Sequence, residues 1–99
     1  MIGRHVYMNK SNTEMLYEAI LTLKTVDECR AFFTDLCTIM EISSMSQRLE
    51  VARLLNKKIV YNKIAEETGA SSATISRVNR CLNHGEGGYK LVLGRLQDE

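Results

Sequence analysis

Ser71, Ser72, Thr74 and Ser76 place four hydroxyls on one short stretch, GASSATISRVNRCL, which also carries Arg77 and Arg80 a helical turn apart. Hydroxyl and guanidinium groups in that arrangement suit phosphate oxygens and base edges, guanine above all for arginine. The stretch opens on Gly69, and its first helical turn, Ser72-Ala73-Thr74, carries almost no bulk. So slim a helix end can push deep into a major groove, while its free N–H groups and dipole favour a nearby phosphate.

Other groups offer less. Glu66 and Glu67 are adjacent carboxylates, but neighbours on a helix diverge by about 100° and usually just solvate its surface. His84 has no neighbour resembling a nucleophile or an orienting acid, and His5 lies far from it in sequence. The HGEGGY segment has three glycines, yet no strand pattern precedes it and no GKS/T follows, which argues against a phosphate-cradling loop. Cys29, Cys37 and Cys81 are odd in number and lack C-x-x-C spacing, so neither a disulfide framework nor a zinc site is indicated. They are expected to be buried apolar residues of a reduced, cytoplasmic protein. The reading is therefore of a non-enzyme, with no catalytic residue, metal or cofactor.

These residues need a scaffold, and the composition says of what kind. The 99 residues include no proline and only 6% aromatics, while Leu, Ala, Glu, Lys, Arg and Met are plentiful, so an all-α domain is expected. A single domain of this size with 44% hydrophobic content has a limited core, which makes burial against a second copy a reasonable expectation. The net charge of +1 hides an asymmetry. Residues 1–43 carry four basic and six acidic side chains, a balance of −2, and residues 44–99 carry nine against six, a balance of +3. The basic excess falls where the hydroxyl-rich stretch lies, and permits contact with a polyanion. No signal peptide is evident and no apolar run approaches the ~20 residues of a membrane span.

Along the chain, residues 1–10 have no clear period and are expected to form a flexible arm. From about Ser11, Met15, Leu16, Ala19, Ile20 and Leu23 recur on one helix face. Thr25-Val-Asp-Glu28 has the form in which a hydroxyl and a carboxylate cap a first turn, predicting a second helix from Val26 to about Leu36 with Phe32, Phe33 and Leu36 inward. Thr38-Ile-Met-Glu41 repeats the form and opens a longer third helix, whose stripe is Ile42, Met45, Leu49, Ala52 and Leu55, widened by Val51 and Leu54. A turn is expected within Asn56–Val60. Gly85, Gly87 and Gly88 break the chain before a last helix with Tyr89, Val92, Leu93 and Leu96 on one stripe, packed in the core or between subunits.

Between these elements, residues 61–83 fit a helix-turn-helix. With Tyr61 as first position, Ile64 and Ala65 are fourth and fifth, Gly69 ninth, Ile75 fifteenth and Val78 eighteenth. Ala65 must be small where the second helix crosses, Gly69 can take the positive φ that ends the first helix tightly, and Ile64, Ile75 and Val78 fill the wedge. Either Ser71 or Ser72 can cap the second helix. The pattern points to double-stranded DNA as partner, with Asn62, Lys63, Ser71, Ser72, Ala73, Thr74, Ser76, Arg77 and Arg80 as the contacting set, and Lys57 and Lys58 on phosphates. The low net charge keeps open a second reading, a helical protein–protein interaction module without DNA binding.

TGASSATISRVNRCL with the following GEGGY, and SQRLEVARLL upstream, resemble the Trp repressor superfamily, in particular its YerC/YecD-type branch of Trp-repressor-like proteins. The resemblance covers roughly Phe33 to Tyr89. It implies about six helices, an intertwined homodimer, and a sequence-specific transcription regulator, a repressor reading a palindromic operator in successive major grooves ~34 Å apart, with amino-acid metabolism as the regulated pathway. It also implies an effector pocket beside the recognition helix, which in this sequence falls on Gln47, Arg48, Arg77 and Val78. Val78 stands where the family's tryptophan binders have glycine and would take up space the indole needs. A different small effector, or none, is expected in place of tryptophan.

Overall fold

The Ser11 hydroxyl accepts the amide N–H of Glu14 at 3.0 Å and starts α1 (Asn12–Leu21). Thr25 does the same for Glu28 at 3.0 Å and starts α2 (Val26–Leu36). The reciprocal half of that cap is displaced by one residue: the Glu28 carboxylate accepts the amide of Lys24, at 2.8 Å, rather than that of Thr25 itself. The protein is described here by a computed structural model for residues 11–96. The arm expected at residues 1–10 lies outside the described residues. The remaining helices are α3 (Ile39–Asn56), α4 (Tyr61–Thr68), α5 (Ser72–His84) and α6 (Gly88–Leu96). Six helices and no strand among the described residues make the fold all-α, as expected.

The chain divides into two compact units, Met1–Thr38 and Ile39–Glu99. In the first, α1 and α2 have no buried residue. Phe32 and Phe33 stack edge to face with centroids 5.6 Å apart but are only half-buried, and Leu36, expected inward, is 50% exposed. Leu23, expected on the face of the first helix, lies beyond its end: the backbone closes with Leu23 N–H on the Ile20 carbonyl. Cys29 shares the α2 stripe with Phe32, Phe33 and Leu36 and is exposed, while Cys37 and Cys81 are half-buried. The expectation of buried thiols therefore fails: among the described residues, no side chain of this unit is packed closely enough against the Cys29 face of α2 to bury it.

The core belongs to the second unit. Val51, Ala52, Leu54 and Leu55 of α3 pack with Ile64, Ala70, Ile75, Val78, Leu82 and Leu93, all under 9% exposed. Only the C-terminal half of the expected α3 stripe is buried; Met45 and Leu49 remain 38% and 39% exposed. At the end of α3 the Ile59 amide donates to the Leu54 carbonyl and the Lys58 amide to Leu55, the paired bonds of a Schellman stop. Its left-handed position, commonly glycine, is Lys58 with φ +67°. That stop turns the chain into α4, so the expected turn within 56–60 is present.

Candidate nucleic-acid interface

Two helices and the three-residue turn between them, Gly69 to Ser71, form the site. Gly69 ends α4 in the left-handed region, φ +74°, with its N–H on the Ala65 carbonyl at 2.9 Å. A Cβ at Gly69 would meet no atom within 4 Å, so the requirement for glycine is conformational and not one of space. Ala70 follows and is buried, anchoring the turn in the core. Ser71, not Ser72, is the cap of α5: its hydroxyl accepts the Thr74 amide at 3.1 Å and lies 3.1 Å from the Thr74 hydroxyl. Ile64, Ile75 and Val78 are each at most 1% exposed and fill the wedge, with half-buried Ala65 packed against them.

The packing of those three side chains decides what α5 turns outward. Ser72, Ala73, Ser76, Arg77 and Arg80 are exposed, and Thr74 is half-buried beside the cap. Among the described residues neither Arg77 nor Arg80 pairs with a carboxylate, so both guanidinium groups are available to a ligand. Asn62 and Lys63 are exposed on the first turn of α4, with the Lys63 ammonium 3.6 Å from Glu67 across one turn. Lys57 and Lys58 are exposed at the entry to the motif. The helix-turn-helix thus offers hydroxyls at its advancing tip and cations behind them, with no acidic residue in the first turn of α5.

The four residues named for an effector pocket stand in different surroundings. Val78 is core, and the Gln47 amide nitrogen donates to the Thr68 carbonyl at 3.1 Å. Arg48 is half-buried on α3 and Arg77 exposed on α5. The open apolar groove of this unit, about 590 Å³, is lined instead by Leu49, Cys81, Gly85, Glu86, Gly88, Tyr89 and Val92.

Sequence reasoning missed three features of this site. Thr68 is a hub: its hydroxyl donates to the Ile64 carbonyl at 2.7 Å and accepts the Ala70 amide at 3.1 Å. Ala70 is core, and Lys58 occupies a left-handed position. A threonine just before a turn glycine was the available cue for the first; lysine gives none for the last.

The family model described as Trp repressor protein matches residues 11–97. The chain belongs to the Trp repressor family. Within it, the chain is 55% identical over 85 residues to the Bacillus subtilis (strain 168) protein YerC, an alignment spanning 86% of this chain and 82% of YerC. The crystal structure of a TrpR-like protein from Eubacterium eligens superposes with a TM-score of 0.84 at 56% identity, covering 89% of this chain and 92% of that one. A candidate Trp repressor from Staphylococcus aureus superposes with the same TM-score at 48% identity, over 88% and 87% of the two chains. The family match runs through both compact units, and Trp repressor membership suggests a DNA-binding regulator.

Proposed function

We propose that this protein is a transcription regulator that binds double-stranded DNA as a homodimer and represses by occupying a palindromic promoter site. The observation that carries this reading is the outward, uncovered tip of α5, where Ser72, Ala73, Ser76 and Arg77 are exposed behind the Ser71 cap. Phosphate contacts from Lys57, Lys58, Lys63, Arg77 and Arg80 supply affinity. Asn62 and the hydroxyls of Ser71, Ser72, Thr74 and Ser76 sort bases and phosphates, in part through bridging water. Amino-acid metabolism, as the regulated pathway in the cytoplasm, rests on family membership alone.

The homodimer is supported by unmet burial. Among the described residues of the first unit no side chain is buried, with Leu21 82%, Val26 71% and Leu36 50% exposed. In the second unit, Leu91, Val92 and Leu96 leave a face of α6 open beside the apolar groove. Apolar surface of that extent is what an obligate helical dimer covers.

Gel-shift titration with the DNA upstream of the protein's own gene tests the proposal. Arg77→Ala should weaken binding by about 1–3 kcal/mol and Thr74→Ala by a smaller amount, and wild-type affinity should fall about tenfold or more over a few-fold rise in salt. Unchanged binding by both variants, or a salt-insensitive complex with protein and none with DNA, would favour the interaction-module reading.

A further inference from the structure

Gln47 lies on the α3 stripe that continues into Val51, Leu54 and Leu55, one turn nearer the N-terminus, where buried positions give way to half-buried ones. A hydrocarbon at that place would only lengthen the stripe. An amide there must find a partner or forfeit free energy, and it finds one in another element: the Thr68 carbonyl, 21 residues away and 3.1 Å from Nε2. Thr68 is the last residue of α4, and its carbonyl is one of the four that a helix leaves without an N–H of its own.

The attachment point matters because the backbone pivots immediately after it. Gly69 turns left-handed, Ala70 enters the core and Ser71 begins α5. The Thr68 hydroxyl, holding Ala70 and Ile64, stiffens the same corner. A helix of 13 residues is ~20 Å long, so a pivot error of a few degrees displaces its far end by ~1–2 Å. Arg77 and Arg80, ~8–12 Å from the pivot, shift by ~0.5–1 Å, which is comparable to the tolerance of a well-aligned contact to a base or phosphate.

We propose that Gln47 is a positioning residue for DNA reading: its amide ties the end of α4 to α3 and fixes the angle at which α5 is presented, without a small molecule. The inference rests on the DNA-binding reading above. Packing agrees with it, since Val78 and Ile75, each 1% exposed, seat α5 directly in the core, and the open groove lies elsewhere, between Leu49, Cys81 and Tyr89.

The test uses the full chain in four forms: wild type, Gln47→Met (similar length, no donor), Gln47→Lys (donor kept) and Arg77→Ala. Amide hydrogen exchange at residues 68–74 is measured without DNA, and gel-shift affinity across a salt series with and without the twenty amino acids. In Gln47→Met, exchange at the corner should speed by about five- to tenfold, the loss expected for one part-buried hydrogen bond. Its DNA affinity should drop several-fold with the salt slope kept, whereas Arg77→Ala lowers the slope by about one. Gln47→Lys should recover the protection, and wild type should bind DNA with nothing added. Wild-type exchange in Gln47→Met, no recovery in Gln47→Lys, or wild-type binding that requires an added amino acid would each overturn the clamp. If wild type binds no DNA under any condition, the DNA reading fails and the positioning role with it, even where the exchange results show the tether itself to be real.

Discussion

The Thr68 hydroxyl accepts the amide of Ala70 at 3.1 Å while donating to the Ile64 carbonyl at 2.7 Å, so one side chain satisfies the backbone on both sides of the Gly69 corner. Ala70 is 5% exposed, and water has little access to replace that acceptor. Thr68→Val keeps the shape and the β-branch but removes the oxygen. It should destabilise the fold by about 1–2 kcal/mol, the cost of leaving a buried N–H unpaired. Thr68→Ser should stay close to wild type. Urea unfolding reads this as a lowered midpoint with an unchanged slope.

Lys58 gives a prediction with two signs. Its φ of +67° completes the Schellman stop of α3, a conformation that costs a side chain about 1 kcal/mol relative to glycine. Lys58→Gly should therefore raise stability by about 0.5–1 kcal/mol, part of the gain being offset by the more flexible unfolded chain. The same substitution removes an exposed cation at the entry to the helix-turn-helix, and should lower the salt slope of DNA binding by about one. Thermal unfolding and a salt series on one sample separate the two effects. A loss of stability with unchanged DNA affinity would argue against a phosphate contact by Lys58.

Local chemistry was legible in the sequence wherever it is set by neighbours within one turn. Thr25 and Glu28 placed the start of α2, and the spacing of Ile64, Ala65, Gly69, Ile75 and Val78 placed the whole helix-turn-helix. Ser71 and Ser72 could not be told apart because both are good caps, and the choice depends on where the Gly69 corner releases the chain. The pattern also showed which residues want burial without showing what covers them. Hence Leu36 and Leu49, expected inward, remain 50% and 39% exposed, and Cys29, expected buried, is exposed. The Gln47 to Thr68 bond joins positions 21 apart on different helices, and no local pattern announces such a pair.

Glu50 supplies a pH test on α3. Arg53 grips its carboxylate with two hydrogen bonds, Nε to Oε1 at 2.9 Å and a terminal nitrogen to Oε2 at 2.6 Å. These bonds hold the Glu50 pKa below its ordinary 4.5; burial works against them, and the charges of Arg53 and Lys57 add to the lowering. A carboxylate whose folded pKa is depressed contributes stability that is present above its unfolded value and lost as pH falls through the folded one. Glu50 is 43% exposed, so solvent screening keeps the contribution below about 1 kcal/mol. Glu50→Gln should accordingly be slightly less stable than wild type at neutral pH, and the difference should vanish in acid, below the folded pKa. Denaturant midpoints at several pH values check the convergence.

Leu36 and Val92 test the proposed homodimer because both are substantially exposed, 50% and 44%, in the single chain. In a monomer, replacing either by serine is a surface change, and its effect on stability stays within about 0.5 kcal/mol. In a dimer that covers the α2 stripe and the α6 groove, each replacement instead removes an apolar contact from the interface. Leu36→Ser and Val92→Ser should then each weaken association by about tenfold or more, roughly the burial energy of one aliphatic side chain. The wild-type melting temperature should climb with protein concentration, since folding and association are then one equilibrium. Sedimentation of the three proteins over a hundredfold concentration range decides between the cases. Three monomers with equal melting temperatures would remove the homodimer from the mechanism.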